Sequence, residues 1–128
     1  MVRRVERFED LIAWEKAMDL AVLAYELTAL PRFKRDFALS DQVHRAAISV
    51  PANIAEGFEH GTRSEFHRFL TIAKASCGEL RTHLYLAERV GYLDKKTARD
   101  ARAAAEEVSR IISGLRTSVA KQKRTPKP

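Results

Sequence analysis

Residues 62–91 read TRSEFHRFLTIAKASCGELRTHLYLAERVG. Thr62 and Glu65 have the spacing of a capping box, in which the two residues satisfy free backbone N–H groups reciprocally. Phe66, Leu70, Ala73, Cys77, Leu80, Leu84 and Ala87 then follow in steps of three and four, which keeps them on one face of a helix. Gly91 is placed to close that helix as its C′ residue. The segment predicts one long amphipathic helix with a marked start and a marked stop.

The same periodicity extends in both directions. Upstream, residues 39–58 carry the stripe Val43, Ala47, Val50, Ile54 and Phe58. Pro51 falls inside it, which predicts a kink; a break into two shorter helices is the alternative. Gly57 and the following EHGT are read as the turn. Further upstream, residues 10–30 carry Leu11, Trp14, Met18, Ala21, Tyr25 and Thr28, read as the core-facing stripe, with Leu20, Leu23, Leu27 and Leu30 on another face. Pro31 stops that helix. PRFKRDF, residues 31–37, is read as a basic linker. Downstream, Asp94 is a helix cap, and Ala98, Ala101, Ala105, Val108, Ile112, Leu115 and Val119 complete a fourth stripe. Four helices of about 18–28 residues span roughly 27–42 Å each at ~1.5 Å per residue. Short links make neighbours antiparallel. The expected fold is all-α, an antiparallel up-down-up-down four-helix bundle. Residues 1–120 form its single domain, and residues 121–128 form a basic, disordered tail.

Composition agrees. A length of 128 residues is one domain, and 45% hydrophobic with 31% charged residues is the balance of an ordered soluble protein. Five Gly and four Pro are too few for a many-stranded β protein. The single Cys, Cys77, excludes an intrachain disulfide and lies in an apolar stripe, which predicts a buried, inert thiol. The net charge of +6 is unevenly placed: residues 1–7 carry +2, residues 121–128 carry +4, and residues 8–120 balance to zero. Basic ends either bind phosphate backbones or serve as solvated tails. The residues concerned are Arg3, Arg4, Arg7, Lys121, Lys123, Arg124 and Lys127. No signal-peptide pattern or membrane-length apolar run is present, so a cytoplasmic location and no membrane partner are expected.

Nothing reads as catalytic. His44, His60, His67 and His83 do not pair at metal-ligand spacing, and no phosphate-binding glycine loop or nucleophile elbow occurs. No cofactor, no metal and no enzymatic activity are expected. A polar line does stand out. Arg45, Ser49, Asn53 and Glu56 share one helix face among small residues, and Ser76, Glu79 and His83 line the next helix. Folding the two helices back near residue 60 predicts ion pairs Arg45–Glu79 and Glu56–Arg68. The line is either structural pairing or contact with a ligand or a neighbouring chain. The extra apolar series on the first helix, with Phe69, Ile72, Leu86 and Val90 on the third, are either a broad core stripe or a subunit interface, and an oligomer is expected.

The run Gln42-Val-His-Arg45-Ala-Ala-Ile-Ser49-Val-Pro51-Ala-Asn53-Ile-Ala-Glu56-Gly57 resembles the hallmark of a bacterial family. These are the four-helix-bundle proteins encoded by intervening sequences in large-subunit (23S) ribosomal RNA genes. Phe8-Glu-Asp-Leu11 with Trp14 and Ala17, Ile72–Leu80, and Gly91-Tyr92-Leu93 extend the resemblance over about residues 8–117. Ala75 departs from it, since members often carry Gly there. The resemblance implies a four-helix bundle that assembles as a homopentamer, without established enzymatic activity. It assigns no role to Arg45, Ser49, Asn53, Glu56, Ser76 or Glu79. More distantly, the chain is similar to the accessory protein of diversity-generating retroelements, a basic pentameric barrel that binds a reverse transcriptase and nucleic acid. Two functions are therefore open: a homo-oligomeric scaffold that contacts RNA or DNA through its basic termini, or an adaptor that binds a protein partner without touching nucleic acid.

Overall fold

A computed structural model describes residues 4–122. A 3-10 turn, Phe8–Asp10, leads into α1 (Ile12–Thr28), α2 (Pro31–Arg35), α3 (Phe37–Glu59), α4 (Arg63–Arg89) and α5 (Lys95–Gln122). No strand occurs among the described residues. The four long helices close a ring in which α1 packs on α3, α3 on α4, α4 on α5 and α5 back on α1. Each neighbour is antiparallel, so the up-down-up-down bundle is the fold of the chain. Of the basic terminal residues, Arg3, Lys123, Arg124 and Lys127 lie outside the described residues, and Lys121 ends α5 in its last turn.

Local chemistry explains the helix ends. Thr62 accepts a hydrogen bond from the Glu65 N–H at 3.2 Å, one half of the capping box, while the Glu65 carboxylate pairs with Arg68 instead of reaching back. Asp94 caps α5 by accepting from the Thr97 N–H at 2.7 Å. Gly91, with φ +85°, closes α4 in a Schellman motif. There the Tyr92 N–H reaches the Ala87 carbonyl and the Gly91 N–H reaches Glu88. α3 runs unbroken through Pro51, so the two-helix alternative is not adopted. The stripes expected on α3, α4 and α5 are the core, with Phe58, Phe66 and Leu115 partly buried at one end.

Three expectations are corrected. First, α1 buries Ala13, Ala17, Leu20, Ala24 and Leu27, whereas Met18 and Tyr25 from the assumed core stripe face outward. Leu11 and Thr28 of that stripe are buried and Trp14 and Ala21 pack against the core, so the buried face lies between the two expected stripes, where small alanines let α1 approach α3 and α5. Second, PRFKRDF is not a plain linker. Pro31 starts α2 with its preset φ, and Phe33 is fully buried. Third, Gly57 is not in the turn. It sits inside α3, where an added Cβ would come within 2.6 Å of the Phe69 Cβ on α4. Gly61, with φ +79°, supplies the turn.

The end of the bundle carrying α2 is tied by one cluster. Asp36 caps α3 through the Leu39 N–H at 2.9 Å and accepts the Tyr92 hydroxyl at 2.8 Å. The Tyr92 ring lies 5.4 Å from that of Phe33, and the Ser40 hydroxyl donates to the Phe33 carbonyl. The Leu39 N–H first, and then Tyr92, hold the Asp36 carboxyl below its ordinary value of 3.8.

Three outcomes follow. Gly57→Ala is expected to lose about 1–3 kcal/mol in urea unfolding through overpacking against Phe69. Gly114→Ala, with open space around it, is expected to gain about 0.5–1 kcal/mol. Because Asp36 is more acidic folded than unfolded, its contribution is complete above about pH 4 and fades as the pH falls through the lowered folded value. Melting temperatures measured down to pH 2 should therefore fall less steeply in Asp36→Asn than in the parent.

Candidate functional site

The polar line on α3 and α4 resolves into a short closed chain. The Ser76 hydroxyl donates to the Ile72 carbonyl at 3.1 Å, so the 2.8 Å contact between Ser49 Oγ and Ser76 Oγ has Ser49 as donor. Asn53 Nδ2 donates to both the Ser49 hydroxyl at 2.8 Å and the Ser49 carbonyl at 2.7 Å. Each donor in the chain Asn53 to Ser49 to Ser76 to Ile72 is used, and the hydroxyls are too small to hold the two helices apart. The arrangement is a seam between α3 and α4, with neither a base to activate a hydroxyl nor a free proton to transfer.

The charged ends of the line do not join it. Arg45 pairs with Asp41 at 3.0 Å, not with Glu79, whose carboxylate lies 4.0 Å from His83 Nε2. Arg68 pairs with Glu65 at 2.8 Å and stacks on Phe69, so the Glu56–Arg68 pair does not form either. Exposed side chains on adjacent helices lose more freedom in meeting than neighbours three or four positions apart on one helix, which the backbone already holds close. The six hallmark residues thus divide into a bonded trio, Ser49, Asn53 and Ser76, and three exposed ones, Arg45, Glu56 and Glu79. Ala75, the one departure from the resemblance, is exposed and outside the seam.

The shortest and least exposed ion pair among the described residues is one that sequence reading missed. Arg102 reaches Glu88 at 2.6 Å with the two side chains only 15% and 22% exposed, and its guanidinium lies 4.1 Å from the Tyr85 ring centre. Indexing α4 against α5 about the turn at residues 90–94 sets Glu88 opposite residue 96, so the long Arg102 side chain reaches well beyond its nominal register to make this pair. Another missed contact joins α1 to α3: His44 stacks on Tyr25 at 4.0 Å and meets the Thr28 hydroxyl at 2.7 Å. Thr28 donates to the Tyr25 carbonyl, so His44 Nε2 is the donor there. Cys77 is buried, and burial raises its thiol to about 11, the chemistry of an inert core residue. No group of three or more His, Cys, Asp or Glu able to hold a metal occurs among the described residues. No helix among them is long and apolar enough to cross a membrane.

The outer surface is sharply divided. Between α1 and α3 runs a groove of about 600 Å³ with almost wholly apolar walls, including Met18, Val22, Tyr25, Ile48 and Pro51. Ile72, Leu86 and Val90 stand exposed on α4. α5 exposes no large hydrophobic side chain among the described residues. Near the N-terminus, Arg4 pairs with Glu6 at 3.0 Å and Arg7 with Glu9 at 3.4 Å, so both arginines carry local countercharges.

The described residues form a closed antiparallel bundle with a bonded polar seam between α3 and α4 and exposed apolar side chains on α1, α3 and α4. The chain belongs to the 23S rRNA-intervening sequence protein family, whose sequence model matches residues 9–114. The fold is also similar to that of a protein of unknown function from the S23 ribosomal protein family of Bacteroides thetaiotaomicron. The TM-score is 0.74 at 23% identity, over 81% of this chain and 97% of that one. No match was found among curated proteins.

A structural role for the seam has a direct consequence. Ser49→Ala and Ser76→Ala should each cost about 1 kcal/mol in urea unfolding, and the double variant clearly less than their sum, because both remove one shared bond. Fully additive losses would mean that the two hydroxyls act separately.

Proposed function

We propose that the chain is a non-enzymatic scaffold that assembles from copies of itself, five in number as the family resemblance implies, and contacts RNA or DNA through its basic termini. The observation that carries the assembly is the outward groove between α1 and α3, where Val22 is 56% and Ile48 46% exposed. Burial of such surface contributes roughly 25 cal/mol per Å². The groove and the apolar ridge of Ile72, Leu86 and Val90 are different surfaces. A groove-to-ridge contact is heterologous, and heterologous contacts generate rings when the rotation closes. The charged outer face of α5 then remains in water.

The terminal charges support the nucleic-acid half of the reading. Arg3, Arg4, Arg7, Lys121, Lys123, Arg124 and Lys127 lie at the ends of the sequence, and among the described residues the four long helices bring the start of the chain and the last turn of α5, with Lys121, to one pole of the bundle. Five copies at +6 would gather roughly +30, and multivalency converts a weak tail contact into useful affinity. The second reading is an adaptor that binds a protein partner only; the zero net charge over residues 8–120 favours it.

Light scattering should give a multimer for the parent and a smaller mass for Val22→Glu combined with Ile48→Glu. Removing residues 121–128 should leave the mass unchanged and sharply reduce RNA binding and its salt dependence. An unchanged mass in the double variant would overturn the assembly surface. Unchanged RNA binding after truncation would overturn the tail contact, and recovery of a partner protein after nuclease treatment would favour the adaptor.

A further inference from the structure

The neutral body of residues 8–120 hides a polarity that only the fold brings together. At the pole away from the chain termini, α2, the end of α4 and the first turns of α5 meet: Arg32 donates to the Gly91 carbonyl at 3.1 Å, and Tyr92 bonds Asp36. Residues 30–37 and 89–100 of this pole hold seven cations against three carboxylates, Asp36, Asp94 and Asp100. All three carboxylates are occupied. Asp36 and Asp94 cap helices, and Asp100 pairs with Lys96 at 2.7 Å. Nearby, Asp41 is held by Arg45 and Glu88 by Arg102. Glu26, in the last turn of α1, is the remaining acid at this end.

Lys34, Arg35, Arg89 and Lys95 are exposed and stand outside any ion pair among the described residues, while the exposed Arg99 shares the Asp100 carboxylate's field with Lys96. At the same pole Phe37, 81% exposed, stands at the first position of α3, two residues after Arg35 and next to the Asp36 cap. A phenylalanine left in water loses the burial that ordinarily accounts for one, and a neighbouring carboxylate pairing could have neutralised these cations as it does at Arg4 and Arg7. Neither occurs. Cations at the same pole as an exposed aromatic ring match a phosphate backbone with unstacked bases: the cations take the phosphates, and the ring stacks a base.

We propose that this pole is a binding surface for single-stranded nucleic acid, with Phe37 as the stacking platform and Lys34, Arg35, Lys95 and Arg99 as phosphate contacts. It is distinct from the terminal tails and does not depend on them. Duplex ends present few free base faces, so the surface discriminates in favour of single strands. Cations alone would not, because phosphate contact is shared by every nucleic acid.

Fluorescence anisotropy on the full chain tests this with three labelled probes: an unstructured 20-nucleotide RNA, the DNA of the same sequence, and a blunt RNA duplex. Phe37→Ala should weaken single-strand binding by about 5–100-fold, with no change in the salt slope and little effect on the duplex. Lys34→Glu with Arg35→Glu should weaken it at least about tenfold and flatten the salt slope by about 1.4. Both variants should melt like the parent, since the side chains are exposed. Equal loss on RNA and DNA supports backbone and stacking recognition, and loss confined to RNA supports a further contact to the 2′-hydroxyl. Removal of residues 121–128 provides the separate arm. If truncation abolishes binding while both pole variants bind like the parent, the pole is overturned and the tails stand. If the pole variants lose binding and the truncation does not, the tail contact fails and the pole stands. A fall in assembly mass for Phe37→Ala without loss of affinity would make Phe37 a protein contact and overturn the proposal, as would the lack of binding to any probe.

Discussion

The close approach of α3 and α4 is the constraint on which the other contacts depend. Gly57 leaves no room for even a methyl group against the Phe69 Cβ, and Ser49 and Ser76 meet at hydrogen-bond distance. Large side chains at any of these positions would push the helices apart. With the gap fixed, Val50 and Ile54 reach across to Leu70, Ala73 and Cys77 in one continuous core. The seam also fixes register, because the two hydroxyls bond only when aligned. The hallmark run from Gln42 to Gly57 is thus a packing device first: its small and hydroxylated residues set the distance, and its Ile and Val fill the space that remains.

The opposite requirement operates at the α2 pole. There the bundle is closed by contacts of high sequence separation, from Arg32 to Gly91 and from Asp36 to Tyr92. Phe33 plugs the end of the core, while the cations of the same short helix face water. One five-residue helix therefore serves both stability and surface charge. At the other pole Arg4 and Arg7 are paired locally with Glu6 and Glu9. The apolar faces of α1, α3 and α4 and the polar face of α5 add an asymmetry across the bundle.

Much of the bundle was legible because helix boundaries are written in neighbouring residues. Thr62, Gly91 and Asp94 each act where their chemistry places them, and the stripes of α3, α4 and α5 are the core. The site was less legible. Ser49, Asn53 and Ser76 do bond together, but Arg45 turned to Asp41 on its own helix and the Glu79 carboxylate lies 4.0 Å from His83 Nε2, beyond hydrogen-bond distance. The Arg102–Glu88 pair and the α2 pole were missed because each joins segments that no single-helix pattern connects.

The sequence by itself determined four helices, their order and their antiparallel path, since apolar spacing, caps and short links are properties of contiguous chain. Tertiary structure alone decided which face α1 buries, where Gly57 is needed, and which cations stay unpaired. Each of those depends on what stands opposite a residue. Two stripes of equal period are indistinguishable until a neighbouring helix admits the alanines between them and leaves Met18 and Tyr25 in water.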